Sequence, residues 1–94
     1  MSTRALIEER LSAVLGPCVA LEVEDQSAAH AGHAGARQSG GGHYRVRIVT
    51  HAFEGMSPLQ RQRRVYAALA EEMKGRIHAL SMTCLTPAED AAEG

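Results

Sequence analysis

Between Ala28 and Tyr44 the chain reads "AAHAGHAGARQSGGGHY", and this stretch constrains the fold more than any other. Its apolar residues are nearly all single methyl groups and its five glycines leave the backbone loose, so it cannot contribute a core. With 94 residues in all, the chain must build a single small domain, residues 1–94, from the segments on either side. That core is lean. Sixteen alanines inflate the hydrophobic fraction of 45%, and there is no tryptophan and one phenylalanine. Burial therefore rests on Leu, Ile, Val and Met, with Tyr44, Phe53 and Tyr66.

Before the stretch, Leu6, Ile7, Leu11, Val14 and Leu15 recur at helical spacing after Ser2 and Thr3, and Gly16-Pro17 stops the pattern. This predicts a helix over about residues 3–15. "VALEVED" then alternates Val19, Leu21 and Val23 against Ala20, Glu22 and Glu24. "HYRVRIVT" alternates Tyr44, Val46 and Ile48 against Arg45, Arg47 and Val49. These are two strands joined by a flexible loop over about residues 26–43. "SPLQ" announces a second helix, with Ser57 as N-cap, Pro58 at the first helical position and Gln60 placed to reach back. It is expected to run to about Lys74 and end at Gly75. Leu59, Val65, Tyr66, Leu69 and Met73 would form its apolar stripe, leaving Arg61, Arg63, Arg64, Glu71 and Glu72 to water. "IHALSMTCLTP" reads as a third strand with Leu80, Met82 and Cys84 facing one way. Pro87 stops it, and residues 88–94 or so are left as a frayed acidic tail.

The order α-β-β-α-β makes an α+β domain, a three-stranded mixed sheet with helices packed on one face. The first two strands, consecutive and similar in length, should pair antiparallel. The third, reached through a helix, should lie parallel to the second by the right-handed crossover rule. His78, at the start of the third strand, is then brought to the end of the sheet where the histidine loop returns. That end offers His30, His33, His43 and His78, with no cysteine beside them, to an open and incomplete metal site. The same residues also read as a solvated polar loop.

A net charge of -1 gives no global attraction to nucleic acid or to an anionic membrane. Cys18 and Cys84 stand far apart and in no CxxC arrangement, so neither a disulfide framework nor a four-cysteine zinc site is readable, and a reducing, cytoplasmic setting fits. The start "MSTRALIEERL" carries two adjacent glutamates and no apolar run, which speaks against a secretory signal or an acid-poor transit peptide. No segment is long enough to span a bilayer. Cys18 and Cys84 lie in or beside strands, as small buried hydrophobes rather than nucleophiles. The pairs Glu8-Glu9 and Glu71-Glu72 fall on helix faces as solubilising charge. The chain reads as a non-enzyme.

"LEVEDQS", "HAGH", "HYRVRIVT", "AFEG", "SPLQRQRRVYAALAEEM" and "IHALSM", in this order, resemble the BolA-like family from Leu6 to Pro87. The most specific parts are Phe53-Glu54-Gly55, the helix segment from Arg61 to Tyr66, and "IHALS". Two departures are visible: Gln62 stands where the family commonly has histidine, and Gly40, Gly41 and Gly42 replace acidic or hydroxyl residues before the second strand.

The resemblance implies a type II KH-like fold and partnership with monothiol glutaredoxins. In that partnership a [2Fe-2S] cluster is shared. Glutaredoxin and its glutathione supply thiolates, and the BolA-like chain supplies a histidine, mapping onto His78, plus a loop residue, mapping onto His30 by its distance from Ser27. His33 is the substitute loop ligand, and His43 is a strand-start residue. The chain alone would hold no tightly bound cofactor and would be a monomer or weak homodimer, acting in iron-sulfur cluster trafficking or iron-status regulation. Imidazole in place of thiolate raises the cluster potential and makes coordination sensitive to protonation.

The alternative that the resemblance also implies is a nucleic-acid-binding, transcriptional role. Arg61 and Arg64 on one helix face, extended by Arg45, Arg47, Lys74 and Arg76, would contact DNA. The GxxG loop of a KH domain is missing at its place, where this chain reads "HAFEGMSP".

Overall fold

The structure, a computed structural model, describes residues 2–26 and 42–93. Helix α1 spans Thr3–Leu15, strand β1 Ala20–Asp25 and strand β2 His43–Val49. A 3-10 turn at His51–Phe53 leads to helix α2, Pro58–Ala68. A second 3-10 turn at Glu72–Lys74 precedes strand β3, Ala79–Leu85, and helix α3 covers Pro87–Glu93.

The starts of the helices are written in their caps. The Ser2 hydroxyl accepts the N–H of Ala5 at 3.1 Å. Ser57 and Gln60 form the expected reciprocal box, with the Ser57 N–H donating to Gln60 Oε1 at 2.8 Å and the Gln60 N–H to Ser57 Oγ at 3.2 Å. The sheet order is β1-β2-β3. β1 and β2 run antiparallel, from Ala20 opposite Val49 to Asp25 opposite Tyr44. β2 and β3 run parallel, from His43 beside Ala79 to Val49 beside Leu85. This is the topology that the strand order predicts.

Tyr44, Val46 and Ile48 point to the helical side, where they meet Ile7, Leu11 and Leu15 of α1, Val65 and Leu69 of the α2 region, and Phe53. Full burial of a side chain such as Ile7, Leu11 or Phe53 stabilises by roughly 1.5–3 kcal/mol. Leu21, Val23, Leu80, Met82 and Cys84 flank this cluster, half-buried at the two edge strands. On the opposite sheet face, Glu22 stands across from Arg47 and Glu24 across from Arg45.

Several expectations need correction. Helix α2 ends at Ala68 rather than near Lys74, because Leu69 and Ile77 must both reach the core and the chain turns to bring them there. Its buried face carries Arg61 and Val65, while Leu59 and Tyr66 are 54% and 42% exposed. Arg61 is therefore inside rather than left to water, and so is Glu72. Val14 and Val19 are exposed. Residues 87–93 are no frayed tail. Thr86 and Glu89 form a second reciprocal box, the Thr86 N–H donating to Glu89 Oε1 at 2.8 Å and the Glu89 N–H to Thr86 Oγ1 at 3.2 Å, with Pro87 at the first helical position.

Candidate functional site

The two ends of the sheet differ chemically. At the end where β2 and β3 begin, the carbonyl of Gly42 accepts the N–H of His78 at 2.8 Å and that of Ala79 at 3.2 Å. The carbonyl of His43 accepts the N–H of Gln26 at 2.7 Å, so the last described residue after β1 is tied to the first residue of β2. Gly42 has φ 81, a left-handed conformation that glycine adopts without strain. It also lacks room for a side chain, since a β-carbon there would lie 2.8 Å from the Arg76 carbonyl oxygen.

Ile77 and His78 lie just before β3, and their burial does not continue that strand's alternation, in which Leu80, Met82 and Cys84 face inward. Ile77 is buried in the core, and His78, one residue later, is exposed. The imidazole thus stands in water on a backbone fixed by the neighbouring strand. The topology does bring His78 to the start of β2, as the strand order requires, and His43 lies in register with Ala79 beside it. His30 and His33 lie outside the described residues. Among the described residues, no group of three or more His, Cys, Asp or Glu side chains gathers to hold a metal ion.

Both thiols belong to the far end. Cys84 pairs in register with Ile48 near the end of β2, and Cys18 precedes Val19, whose N–H donates to Val49. Burial pushes the Cys84 thiol up to about 11, with the Arg61 charge pulling the other way. Burial also raises Cys18, against a hydrogen bond with Thr50. Neither is a ready thiolate at neutral pH, so the donor at the His78 end is imidazole without a sulfur of this chain.

Arg61 organises that far end. Its guanidinium donates to the carbonyls of Met56 at 3.0 Å and Cys84 at 3.1 Å, and to Glu89 Oε1 at 2.6 Å. It lies over the Phe53 ring, 5.8 Å from the centroid. The pairing, with the Thr86 N–H, holds the Glu89 carboxyl well below its ordinary 4.5, at about 2. Asp90 of α3 takes a hydrogen bond from Arg47, which also faces Glu22 at 3.7 Å.

The cations considered for nucleic acid are consequently scattered. Arg61 is enclosed, Arg64 donates to the carbonyl of Val14 at 3.4 Å, and Lys74 pairs with Glu71 at 3.2 Å. Arg45 and Arg47 line a shallow groove on the outer sheet face together with Glu22 and Glu24. Arg76 is exposed beside His78. The glutamate pairs are equally dispersed: Glu8 meets Arg4 at 3.5 Å, while Glu72 turns inward to Arg10. Sequence reasoning missed Arg61, Glu72 and Glu89 as interior or paired groups. The string Thr86-Pro87-Ala88-Glu89 carried a signal for the last of these.

A mixed sheet with helices on one face, and the exposed His78 imidazole on a hydrogen-bonded backbone at the strand starts, define a small α+β domain of the KH-like kind. A family model for BolA-like proteins matches residues 11–89, and the chain belongs to that family. It is 46% identical over 85 residues to BolA-like protein 1 of Mus musculus, covering 90% of this chain and 58% of that protein. It is 48% identical over 87 residues to SufE-like protein 1, chloroplastic/mitochondrial, of Arabidopsis thaliana, covering 88% of this chain and 23% of that protein. The chain thus spans only part of the length of these relatives. Among solved structures, BolA1 from Arabidopsis thaliana superposes with a TM-score of 0.81 at 41% identity, covering 95% of this chain and 96% of that one.

Proposed function

We propose that the chain is a non-enzymatic partner of monothiol glutaredoxins that shares a [2Fe-2S] cluster as cargo, in iron-sulfur trafficking or iron-status regulation within a reducing, cytoplasmic compartment. The observation that carries this reading is the meeting of Gly42 and His78. The segment that contains His30 and His33 returns to the sheet at Gly42, and Gly42 is hydrogen-bonded to His78 at 2.8 Å. An exposed imidazole on a fixed backbone can face a partner's iron with little further ordering of its main chain.

The donor chemistry agrees with a shared cluster. This chain offers imidazole at that end while its thiols are protonated and at the other, so glutaredoxin and glutathione supply the thiolates. His78 is one ligand in this reading, and His30, or His33 in its place, is the other. A bound cluster accepts and releases an electron. The contribution of this chain is to present neutral imidazole, whose protonation loosens the hold.

The test mixes the purified chain with a monothiol glutaredoxin, iron, sulfide and glutathione and records visible absorption and circular dichroism. A cluster spectrum distinct from that of glutaredoxin alone is expected, and His78→Ala should alter it and shorten the cluster's lifetime. An identical spectrum and lifetime in the variant would remove His78 from the ligand set.

A further inference from the structure

The turn that delivers His78 is built around a residue six positions before it. The carbonyl oxygen of Glu72 accepts the N–H groups of Gly75 at 3.3 Å, Arg76 at 2.9 Å and Ile77 at 2.9 Å. One oxygen gathers three successive peptides, and the next residue is His78. The Glu72 side chain is 5% exposed. Its Oε2 lies 3.5 Å from Nε of Arg10 on α1, and its Oε1 has no hydrogen-bond partner among the described residues. Enclosing a carboxylate so incompletely satisfied costs stability relative to an apolar side chain of similar size. Packing alone does not account for it.

What the pair supplies is a directional tie. Arg10 is flanked on α1 by Ile7 and Leu11, both fully buried, so its helix is held firmly in the core. We infer that Arg10 and Glu72 are a positioning pair for His78: α1 holds Glu72 through its charge, and Glu72 holds the three-bond turn that presents the imidazole. Gly42 holds His78 from the strand side, and the Arg10–Glu72 pair holds it from the helix side. The functional meaning of this inference rests on the proposed role of His78, while its structural part stands on the contacts themselves.

The test uses Arg10→Glu and Arg10→Lys in the full chain. Arg10 is 52% exposed at its side chain, so neither change hollows the core. In amide hydrogen exchange without metal or partner, Arg10→Glu should speed the amides of Arg76, Ile77 and His78 on the order of tenfold, equivalent to about 1.4 kcal/mol. Those of Val46 and Ile48 should stay within about twofold, and Arg10→Lys should restore the turn amides. Unchanged rates, or equal acceleration in every strand, would overturn the inference. A second arm measures cluster lifetime with glutaredoxin: Arg10→Glu should shorten it in the native background and add nothing in His78→Ala. A further loss in that background would show that the pair acts by another route. If His78→Ala leaves the lifetime unchanged, the cluster reading fails while the exchange arm still decides the pair.

Discussion

Gly42 and His78 approach more closely than a side chain at position 42 permits: a β-carbon on Gly42 would stand 3.0 Å from Cδ2 of His78 and 3.2 Å from its amide nitrogen. The contact joins the last residue of the glycine run to the exposed imidazole of the candidate site.

Gly42→Ala should therefore act locally. The left-handed φ of 81 strains a residue that carries a β-carbon, and the 2.8 Å approach to the Arg76 carbonyl oxygen must be relieved by moving residue 42 or the segment before β3. A loss of about 1–3 kcal/mol in urea unfolding is expected. Nuclear Overhauser contacts between residue 42 and the His78 ring should weaken, while those within α1 persist. Full retention of stability and of those contacts would show that the strand starts yield freely.

The Arg61–Glu89 pair predicts an acid dependence. Glu89 titrates at about 2 in the folded chain against 4.5 ordinarily, so the unfolded chain binds the proton more readily. Its contribution is complete above pH 4.5 and is lost as the pH falls from there through 2. Glu89→Gln should lower the urea midpoint near neutrality, and the gap to the native chain should narrow below pH 4. A gap independent of pH would mean that the carboxylate charge contributes nothing.

Replacing the other partner tests the interior of the same network. Arg61→Met keeps much of the volume but abandons the carbonyls of Met56 and Cys84. A loss of about 2 kcal/mol is expected from denaturant unfolding. Stability equal to the native chain would show that those carbonyls find water instead.

Raised thiol pKa values predict slow chemistry. With Cys84 at about 11, little thiolate exists near pH 8, and alkylation by iodoacetamide in the folded chain should run at least about tenfold slower than in urea. Mass spectrometry of the timed reaction distinguishes Cys84 from Cys18.

The loop ligands separate by substitution. His30→Ala should shorten the lifetime of the shared cluster nearly as much as His78→Ala, and His33→Ala or His43→Ala should do little. Mild single effects with a large loss in the double change at His30 and His33 would instead show that the two histidines replace one another.

Strand order, pairing sense and the place of His78 were legible because alternation and the crossover rule depend on the chain's own pattern. The box at Ser57-Pro58-Leu59-Gln60 was legible for the same reason. Its twin at Thr86-Pro87-Ala88-Glu89 was hidden by reading Pro87 only as a strand breaker. Arg61 could not be assigned to the interior from α2 alone, since its surroundings come from Met56, Cys84 and Glu89 on other segments. Glu72 is similar: its position depends on where α2 stops, and that is decided by the burial of Leu69 and Ile77 rather than by local propensity. Substituting Arg61 as a probe of nucleic-acid binding would accordingly disturb the fold itself.

The enclosure of Arg61 also sets where this domain can be shortened. A chain cut after Leu85 would keep all three strands and both larger helices, yet it would discard Glu89 and Asp90, the acidic partners of Arg61 and Arg47. The guanidinium of Arg61 would remain in the interior with two carbonyl dipoles and the Phe53 ring, but no carboxylate from α3, to balance it. Cutting after the last strand should therefore cost stability through lost charge compensation, even though the sheet is complete, and the seven residues of α3 belong with the domain on that ground.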